Sequence, residues 1–482
     1  MEKRALHFII ITILFLIAYT YLISKFYPQR PPSSPPLPQQ PYEYEEVKEF
    51  LSERPHQGEL QDVEVGDFVV SISLLGGYIN NIRIKSYGEE LNFRNIGFLP
   101  DFKDVQFSLS IPKKNWIVLE NEELGVKKIW EFTGYAVRFK LVLPQGKMEM
   151  NLFSNYLSPN GLDQRYQEIF FKEDLSGIIT RLPFRKIKDL RRDLVQIAGA
   201  RDRYFCLAFF QGKFSVGFKR KDKTVTVSTT IDKKESLWNF YLGPQLAKEL
   251  AKHNLEGIIY YGFFHGIGAV ILKVLYIFNS LTHSWGFSII LLSIIIYLLL
   301  FPFTAKSTKA MQRMQELQPA IESLRSKYKD NPQKLNKEML ELYKKHKINP
   351  LGGCFPLLFQ FPVFIALYQV LLRFVELKGA QFLWIKDLSL PDHSLKLPFS
   401  LPYFGQFINI LPLLIVIISY FQQKITTSKV SSQQQSMGLF FIFFIGIIFY
   451  HFPSCLVLYW FIQNILTFFY QYRASKLTLL RE

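Results

Sequence analysis

The stretch "WGFSIILLSIIIYLLLFPF" fills residues 285–303 and decides which class of fold the chain adopts. It carries no charged side chain, and its length is close to the ~20 residues with which an α-helix crosses the hydrocarbon core of a bilayer. Apart from its serines, the only polar group in the stretch is the phenol of Tyr297. The stretch therefore predicts a membrane-spanning helix with Tyr297 as a candidate functional residue inside it.

Further apolar runs towards the C-terminus predict four more spanning helices. Residues 265–284 are also apolar, but Lys273, Asn279 and His283 interrupt them. This pattern favours an amphipathic helix in the outer membrane interface, with a spanning helix as the alternative. The predicted spans in this part of the chain are residues 285–303, 351–374, 401–421, 437–452 and 454–473.

Residues 1–26 form another apolar run, which begins with Lys3 and Arg4. The run is long enough to span a bilayer, and no small-x-small cleavage site follows it, so it predicts an uncleaved anchor rather than a signal peptide. Residues 27–46 are rich in proline, which predicts an extended linker without a core of its own. With the anchor, the chain is predicted to have six spanning helices.

The middle of the chain, residues 47–255, has the pattern of a soluble domain. Stretches such as "VKKIWEFTGYAVRFKLVLP" alternate apolar and polar residues and are separated by Gly, Pro, Asn or Asp. Many strands with little helix between them predict an antiparallel β-sandwich. The domain has no Gly-rich phosphate loop, carboxylate pair or histidine cluster, so we expect no catalysis there.

The distribution of basic residues indicates the orientation. Residues 304–350 are rich in Lys and Arg, and Lys424, Lys429, Arg473 and Lys476 follow predicted spans. Because cytoplasmic loops carry the excess of Lys and Arg, both termini are predicted to be cytoplasmic and the sandwich to be periplasmic in a bacterium. The net charge of +17 then reflects topology, which argues against nucleic-acid binding.

Residues 304–350 also show helical periodicity on both sides of "KDNP", a turn at 329–332. This predicts a cytoplasmic helical hairpin that is too polar to span. Its flexible methionines, Met311, Met314 and Met339, favour a surface that captures varied apolar client segments. Two helices that pack only on each other are the alternative.

Cofactor signals are missing from the sequence. The three cysteines, Cys206, Cys354 and Cys455, are too few and too scattered for a disulfide framework or a zinc site. The cysteines therefore predict no zinc site.

Several strings between about residues 240 and 473 resemble the YidC membrane protein insertases, relatives of the mitochondrial Oxa insertase. The anchor, linker and sandwich agree in layout with the Gram-negative form of that family. The strings are "FYLGPQ" (240–245), "WGFSI" (285–289), "MQELQPAI" (314–321), "NPLGGCFPLLFQFPVFIALY" (349–368), "VELKGAQFLWIKDLS" (375–389) and "FPSCLVLYWFIQN" (452–464).

The resemblance implies a multi-domain protein of the inner membrane, with a six-helix insertase core and a periplasmic antiparallel β-sandwich. It implies a groove that is open to the cytoplasm and to lipid and closed towards the periplasm. Nascent membrane proteins are the expected clients, the Sec translocon and the ribosome are candidate partners, and no small-molecule substrate is expected. The resemblance further implies that the protein inserts membrane proteins and assists their folding, that it is not an enzyme, and that it uses no nucleotide, metal or other cofactor.

Polar residues inside the predicted spans are the candidates for client contact in such a groove. For each of them, an interhelical hydrogen bond or an interface anchor is the alternative role. The candidates are Tyr297, Gln360, Tyr459, Trp460, Gln463 and Asn464.

Alignment with the family places Tyr297 where YidC proteins usually carry the groove arginine. A phenol can donate and accept a hydrogen bond but is neutral at pH 7. The sequence therefore predicts a polar, hydrated groove without fixed positive charge, and insertion that depends less on acidic client residues.

Two other functional classes are alternatives. A secondary transporter of a small solute would carry internal repeats and intramembrane charges, and the predicted spans lack charges near mid-bilayer. A membrane enzyme would carry a catalytic triad, metal ligands or a carboxylate pair, which the sequence of the spans does not contain.

Overall fold

The structure is a computed structural model that describes residues 60–144, 148–158, 161–173, 178–329, 331–346, 355–426 and 432–479. The predicted anchor at 1–26 and the proline-rich linker at 27–46 lie outside the described residues, as does the beginning of the predicted sandwich.

Residues 60–244 form two antiparallel sheets, which confirms the predicted antiparallel β domain. Short helices at Gly161–Gln164 and Ala247–Ala251 accompany the strands. The strands are β1 Leu60–Val65, β2 Phe68–Ser73, β3 Tyr78–Ile84, β4 Glu89–Glu90, β5 Phe93–Arg94, β6 Ser108–Ser110, β7 Trp116–Asn121, β8 Val126–Thr133, β9 Ala136–Val142, β10 Met148–Tyr156, β11 Glu168–Glu173, β12 Ile179–Pro183, β13 Leu190–Arg201, β14 Phe205–Lys221, β15 Thr224–Ile231 and β16 Glu235–Pro244.

The smaller sheet has the order β1-β2-β3-β4, and the larger one follows β12-β11-β13-β14-β16-β9-β8-β7-β6 with β10, β15 and β5 beside it. Apolar side chains of both sheets belong to one continuous core. Strand β8 shows the reason, because Val126, Trp130 and Phe132 alternate inwards and are buried. The period-two pattern of the sequence is thus the pattern of core packing.

One inward position of β8 holds a lysine. Lys128 is fully buried, and its Nζ donates hydrogen bonds to the carbonyl oxygens of Gly76 (3.2 Å), Gly77 (2.5 Å) and Gly97 (3.0 Å). Burial lowers the pKa of Lys128 to about 7, because the charged form loses its hydration. The three carbonyl oxygens take the place of water, so Lys128 ties the turn between β2 and β3 to the larger sheet.

The remainder of the described chain is mainly helical. A two-stranded hairpin, β17 Leu395–Leu401 and β18 Gly405–Ile408, interrupts the helices. The helices are α1 His265–Thr282, α2 Trp285–Glu316, α3 Gln318–Lys327, α4 Pro332–Lys345, α5 Phe355–Arg373, α6 Ile410–Thr426, α7 Ser432–Phe449 and α8 Ser454–Leu479.

Two predicted boundaries differ from the structure. The end placed at residue 303 is not a helix end, because α2 runs through Pro302 to Glu316 and supplies the first part of the predicted helical hairpin. The turn is where it was predicted: Asn331 precedes α4, and its side chain accepts a hydrogen bond from the backbone N–H of Lys334 at 3.0 Å.

The span predicted at 401–421 begins too early. Helix α6 starts at Ile410, and residues 401–408 belong to the hairpin β17–β18. The apolar run misled the prediction, because a hairpin that exposes apolar side chains has the same composition as the start of a span. Pro402 and Gly405 mark the turn, and Gly405 has a positive φ of 74°.

By length and composition, α1 and α2 are apolar enough to cross a membrane, and shorter apolar helical stretches lie in α5, α6 and α7. In α2, 33% of the most apolar 18-residue segment is buried, so most of that segment is exposed. Because α1 passes the same test, a span remains the alternative to the predicted interfacial helix. The six spans stay a prediction.

The β domain meets the helices at the C-terminal end of α5. Arg203, which is buried, donates from Nε to the carbonyl oxygen of Leu372 at 2.6 Å, and Arg373 donates to the carbonyl oxygen of Tyr260. The guanidinium of Arg203 thus satisfies a carbonyl at the C-terminus of α5, where the helix dipole favours cations.

Candidate functional site

A cavity of about 480 Å³ lies among α2, α5, α6, α7 and α8. Most of its lining side chains are polar, although the outer faces of the same helices expose large apolar residues such as Leu299 and Phe443. The lining residues are Tyr297, Leu300, Phe303, Thr304, Ser307, Thr308, Met311, Gln360, Ser419, Gln422, Gln423, Thr426, Gly438, Phe441, Ile442, Trp460, Gln463, Asn464, Thr467 and Gln471.

The cavity wall formed by the described residues carries polar groups but no charged ones, and apolar atoms make up most of its exposed surface. Among the described residues that line it, none is Asp, Glu, Lys, Arg or His. The polar groups are amides, hydroxyls, one phenol and one indole, and all of them can hydrogen-bond to water or to a peptide backbone. This lining agrees with the neutral groove that Tyr297 predicted.

Helical spacing brings these polar residues onto one surface. On α8, Gln463, Thr467 and Gln471 are four residues apart and therefore lie on one face of the helix. On α2, Tyr297, Thr304 and Met311 are seven residues apart, so they also lie on one face. These faces of α2 and α8 both line the cavity.

Tyr297 lines the cavity and also connects two helices. Its hydroxyl donates a hydrogen bond to the carbonyl oxygen of Leu466 on α8 at 3.2 Å, and 7% of the residue is exposed. The ring lies 6.1 Å from the ring of Phe301, one turn further along α2. The phenol therefore has a structural role in addition to its position in the cavity wall.

Gln360 and Tyr459 form a pair of which only one member reaches the cavity. Gln360 lines it, and its amide donates a hydrogen bond to the hydroxyl of Tyr459. Tyr459 is fully buried and lies behind the wall, so the structure separates it from the other predicted groove residues. Its hydroxyl orients Gln360.

Three more predicted residues, on α8, line the cavity and have partners. Gln463 donates to the carbonyl oxygen of Ser293 on α2 at 2.8 Å, and Asn464 donates to the carbonyl oxygen of Trp460 at 3.0 Å. The ring of Trp460 meets the ring of Phe364 edge-on at 5.3 Å. Amide oxygens of Gln463 and Asn464 remain as acceptors for a guest.

Of the three predicted client-capture methionines, Met311 lines the cavity. Met314 lies further along α2, and Met339 lies on α4; neither is part of the cavity lining. Their role in client capture stays a prediction.

The sequence prediction missed the contribution of α6 to the cavity. Ser419, Gln422, Gln423 and Thr426 line it from the last turns of that helix. Gln423 also donates to the carbonyl oxygen of Gln435 on α7 at 2.7 Å. The string "SYFQQKIT" carries these residues, and its change from apolar to uncharged polar at the end of a predicted span was the available signal.

The cavity lies at the end of the bundle opposite the β domain. Trp285, the first residue of α2, packs against Phe374 beside the β domain, with ring centroids 4.8 Å apart. Tyr297 is about 18 Å further along the helix, at 1.5 Å per residue. The basic residues Lys306 and Lys309 of α2 follow at the cavity end.

No group of three or more His, Cys, Asp or Glu residues in the described part of the chain is placed to hold a metal ion. The expectation that the protein uses no metal stays a prediction.

Comparison with known proteins relates the helical part to one family. Residues 277–479 match the family described as 60Kd inner membrane protein. The chain is 42% identical over 240 residues to the membrane protein insertase YidC of Syntrophobacter fumaroxidans, covering 49% of this chain and 43% of that protein. It is 37% identical over 291 residues to the YidC insertase of Endomicrobium trichonymphae, covering 57% of this chain and 55% of that protein.

The chain thus spans about half the length of the curated relatives it matches. A solved structure of an active YidC insertase aligns with a TM-score of 0.46 and 15% identity, covering 86% of this chain and 94% of that one. A structural likeness at that level supports no conclusion about function. The sequence matches confirm the resemblance to the YidC insertases.

Proposed function

We propose, from the match of residues 277–479 to the family described as 60Kd inner membrane protein and from the similarity to YidC insertases, that this chain inserts membrane proteins into a bilayer and assists their folding. One observation of the structure carries the proposal: an uncharged cavity with hydrogen-bonding groups in its wall lies between helices whose outer faces are apolar and exposed. Such a cavity can hold a polar client segment at membrane depth, away from the lipid hydrocarbon.

The cavity would lower the barrier for the polar flank of a client. Backbone and polar side chains without partners cost several kcal/mol each in hydrocarbon, and a water-holding cavity shortens the distance over which they face lipid. The apolar segment of the client then moves from the cavity wall into lipid. Burial of that segment drives the step with about 0.8 kcal/mol per CH₂ group.

The membrane potential would assist acidic clients. An acidic residue that crosses towards the positive side gains about 2.3 kcal/mol per 100 mV. The lining gives such a residue no cation to bind, since all described lining residues are uncharged. Clients would therefore be selected by apolar content and by the potential rather than by attraction to the cavity.

The proposed topology follows the basic residues. The cavity end of α2 continues into α3 and α4, which carry many Lys and Arg residues, so this end would face the cytoplasm. The β domain would then be periplasmic, and both termini cytoplasmic, in a six-span inner membrane protein. Helices α3 and α4 would receive clients, with the ribosome or the Sec translocon as partners.

The other classes have less support. The named relatives are insertases, and the comparisons give no support to a solute transporter. The same names favour a non-enzymatic role.

Site-specific photocrosslinking tests the proposal. A photoreactive amino acid would replace Gln360 or Gln463 in the cavity, and Val270 on α1 would serve as the control. Val270 is 63% exposed and contributes nothing to the cavity lining. Ribosomes carrying a stalled single-span client would be added to vesicles that contain each variant.

We expect adducts with the nascent client from positions 360 and 463, and few from position 270. Adducts should disappear when the apolar segment of the client is replaced by a polar one. Equal yields at all three positions, or none at the two cavity positions in well-expressed protein, would contradict the proposal.

A further inference from the structure

The hairpin β17–β18 exposes apolar side chains that the proposed insertion cycle does not use. Leu395, Phe399, Leu401, Tyr403 and Phe404 are all exposed, with Phe399 58% and Tyr403 60% accessible. Lys396 is the only charged residue between positions 395 and 408. A contiguous apolar surface of this kind marks contact with a partner or a membrane, because soluble surfaces seldom carry one.

The exposure does not arise from a loosely attached loop. The ring of Tyr403 contacts that of His451, and the ring of Phe404 contacts that of Tyr450, both with centroids 4.8 Å apart. The hydroxyl of Tyr450 donates to the carbonyl oxygen of Phe407 at 2.7 Å. The hairpin is thus fixed against the segment that follows α7, with its apolar side chains directed outwards.

A second set of contacts fixes the base of the hairpin to α6. The carboxylate of Asp392 accepts a hydrogen bond from the backbone N–H of Leu411 at 2.6 Å, in the first turn of α6. Asn409 donates from its amide to the carbonyl oxygen of Tyr450 at 2.7 Å. The start of α6, the end of α7 and the hairpin therefore hold together at one level of the bundle.

The apolar surface of the hairpin continues along the outer faces of these helices. On α6, Leu413 and Ile417 are exposed, and on α7, Phe443, Phe444 and Ile447 are exposed. If the proposed function is correct, these faces contact lipid. The hairpin surface is continuous with these faces and lies at the end of both helices. It would therefore contact the same bilayer at the level where the hydrocarbon core ends.

The backbone limits how deep the hairpin lies. A two-stranded sheet leaves N–H and C=O groups unpaired along both edges, and such groups are costly in hydrocarbon. In the headgroup layer they can bond to water and to lipid headgroups. Pro398 and Pro402 remove two N–H donors, aromatic rings favour this layer, and the amine of Lys396 can extend towards water.

We propose that the hairpin β17–β18 is a membrane-interface anchor, which rests in the lipid headgroup layer at the β-domain end of the bundle. The proposal rests on the membrane location in the proposed function, but not on insertion activity. Lipid, rather than a protein partner, would cover this surface.

Spin labels measure the environment of the hairpin. The full chain would carry a nitroxide at Phe399→Cys or Leu401→Cys and be reconstituted in phospholipid vesicles, with Cys354 changed to Ala and the buried Cys206 and Cys455 retained. Collision with oxygen reports lipid, and collision with a water-soluble nickel chelate reports water.

Two reference positions calibrate the measurement. Phe443→Cys on α7, where the phenylalanine is 60% exposed, represents the lipid-facing surface. Leu124→Cys, where the leucine is 41% exposed in the turn between β7 and β8, represents the β domain.

We expect the oxygen-to-nickel collision ratio at positions 399 and 401 to be severalfold higher than at 124 and lower than at 443. Ratios equal to that at 124, with a lipid-like ratio at 443, would overturn the anchor and leave the membrane location intact. A water-like ratio at 443 would overturn the membrane location on which the anchor rests. Low collision rates with both reagents at 399 and 401 would show a protein partner or a second copy, and would also overturn the proposal.

Discussion

Replacement of Tyr297 by arginine tests whether the neutrality of the cavity sets client preference. The change places a fixed cation in a wall whose described lining residues are all uncharged. The cavity of about 480 Å³ has room for the guanidinium, and Gln360, Gln463 and Asn464 offer amide oxygens to it. The matched control is Tyr297→Phe, which keeps the ring and removes only the hydroxyl.

The magnitude follows from the distance between charges. A client carboxylate about 5 Å from the new guanidinium would gain about 0.8 kcal/mol if the cavity behaves as bulk water, and about 3 kcal/mol at an effective dielectric constant of about 20. The lower value raises the preference for an acidic client about fourfold, since 1.4 kcal/mol is about tenfold. Tyr297→Phe removes one hydrogen bond to Leu466, worth at most about 1.5 kcal/mol.

The assay compares two clients that differ only in two translocated residues, Asp in one and Asn in the other. Insertion into vesicles containing the wild type or a variant is measured by protease protection, without a membrane potential, because the potential itself favours the acidic client. We expect a ratio of acidic to neutral insertion near one for the wild type and for Tyr297→Phe. For Tyr297→Arg we expect a ratio at least about fourfold higher.

Two results would refute the reasoning. A strong preference of the wild type for the acidic client would show a cation in the client path that the described lining does not contain. An unchanged ratio in a folded Tyr297→Arg protein, with the thermal unfolding of the wild type, would show that clients do not approach position 297.

Three further outcomes are expected. Gln360→Leu should lower the unfolding free energy by about 1–3 kcal/mol, because it leaves the buried hydroxyl of Tyr459 without its partner. The double variant with Tyr459→Phe should recover most of this loss when the variants are compared by thermal unfolding in a double-mutant cycle. Burial raises the pKa of Glu376 to about 7, so the folded state holds this proton more tightly than the unfolded state. The unfolding free energy of the wild type should therefore fall by up to about 3 kcal/mol, relative to that of Glu376→Gln, as the pH rises from 4.5 to 7. Parallel pH profiles of the unfolding free energy in the two proteins would contradict this. Gly286→Ala should destabilise the start of α2, because a Cβ there would lie 2.1 Å from the ring of Phe382. Phe382→Ala should relieve only part of the clash, because the Cβ of residue 382 itself would lie 2.7 Å away. Equal melting temperatures of the wild type and Gly286→Ala would contradict the steric argument.

Element types followed from the sequence wherever one periodicity dominated. The alternation in β8 placed Val126 and Trp130 in the core, and the uninterrupted apolar run gave the first half of α2. Boundaries failed where composition does not change at the boundary. Apolar residues of the hairpin, such as Ile408, run almost directly into the apolar start of α6, and only Pro402 and Gly405 mark the hairpin turn.

The candidate site was predictable where a polar residue interrupts an apolar run. Tyr297, Gln360 and Gln463 are of this kind, and all three line the cavity. Tyr459 was placed in the same set because it is polar and close in sequence to Gln463. In the structure Tyr459 lies one turn before Gln463 on the same face of α8, but it is fully buried, and its hydroxyl accepts a hydrogen bond from Gln360.

Some polar residues of the cavity wall hold helices together as well as facing the cavity, which determines how substitutions there are interpreted. Tyr297 and Gln463 join α2 to α8, and Gln423 joins α6 to α7. A loss of insertion after substitution of these residues can come from displaced helices alone. Thr467 differs, because its hydroxyl donates to the carbonyl oxygen of Gln463 within α8. Thr467→Val would therefore change the polarity of the cavity without breaking a bond between helices, and its effect on insertion measures the role of cavity polarity directly.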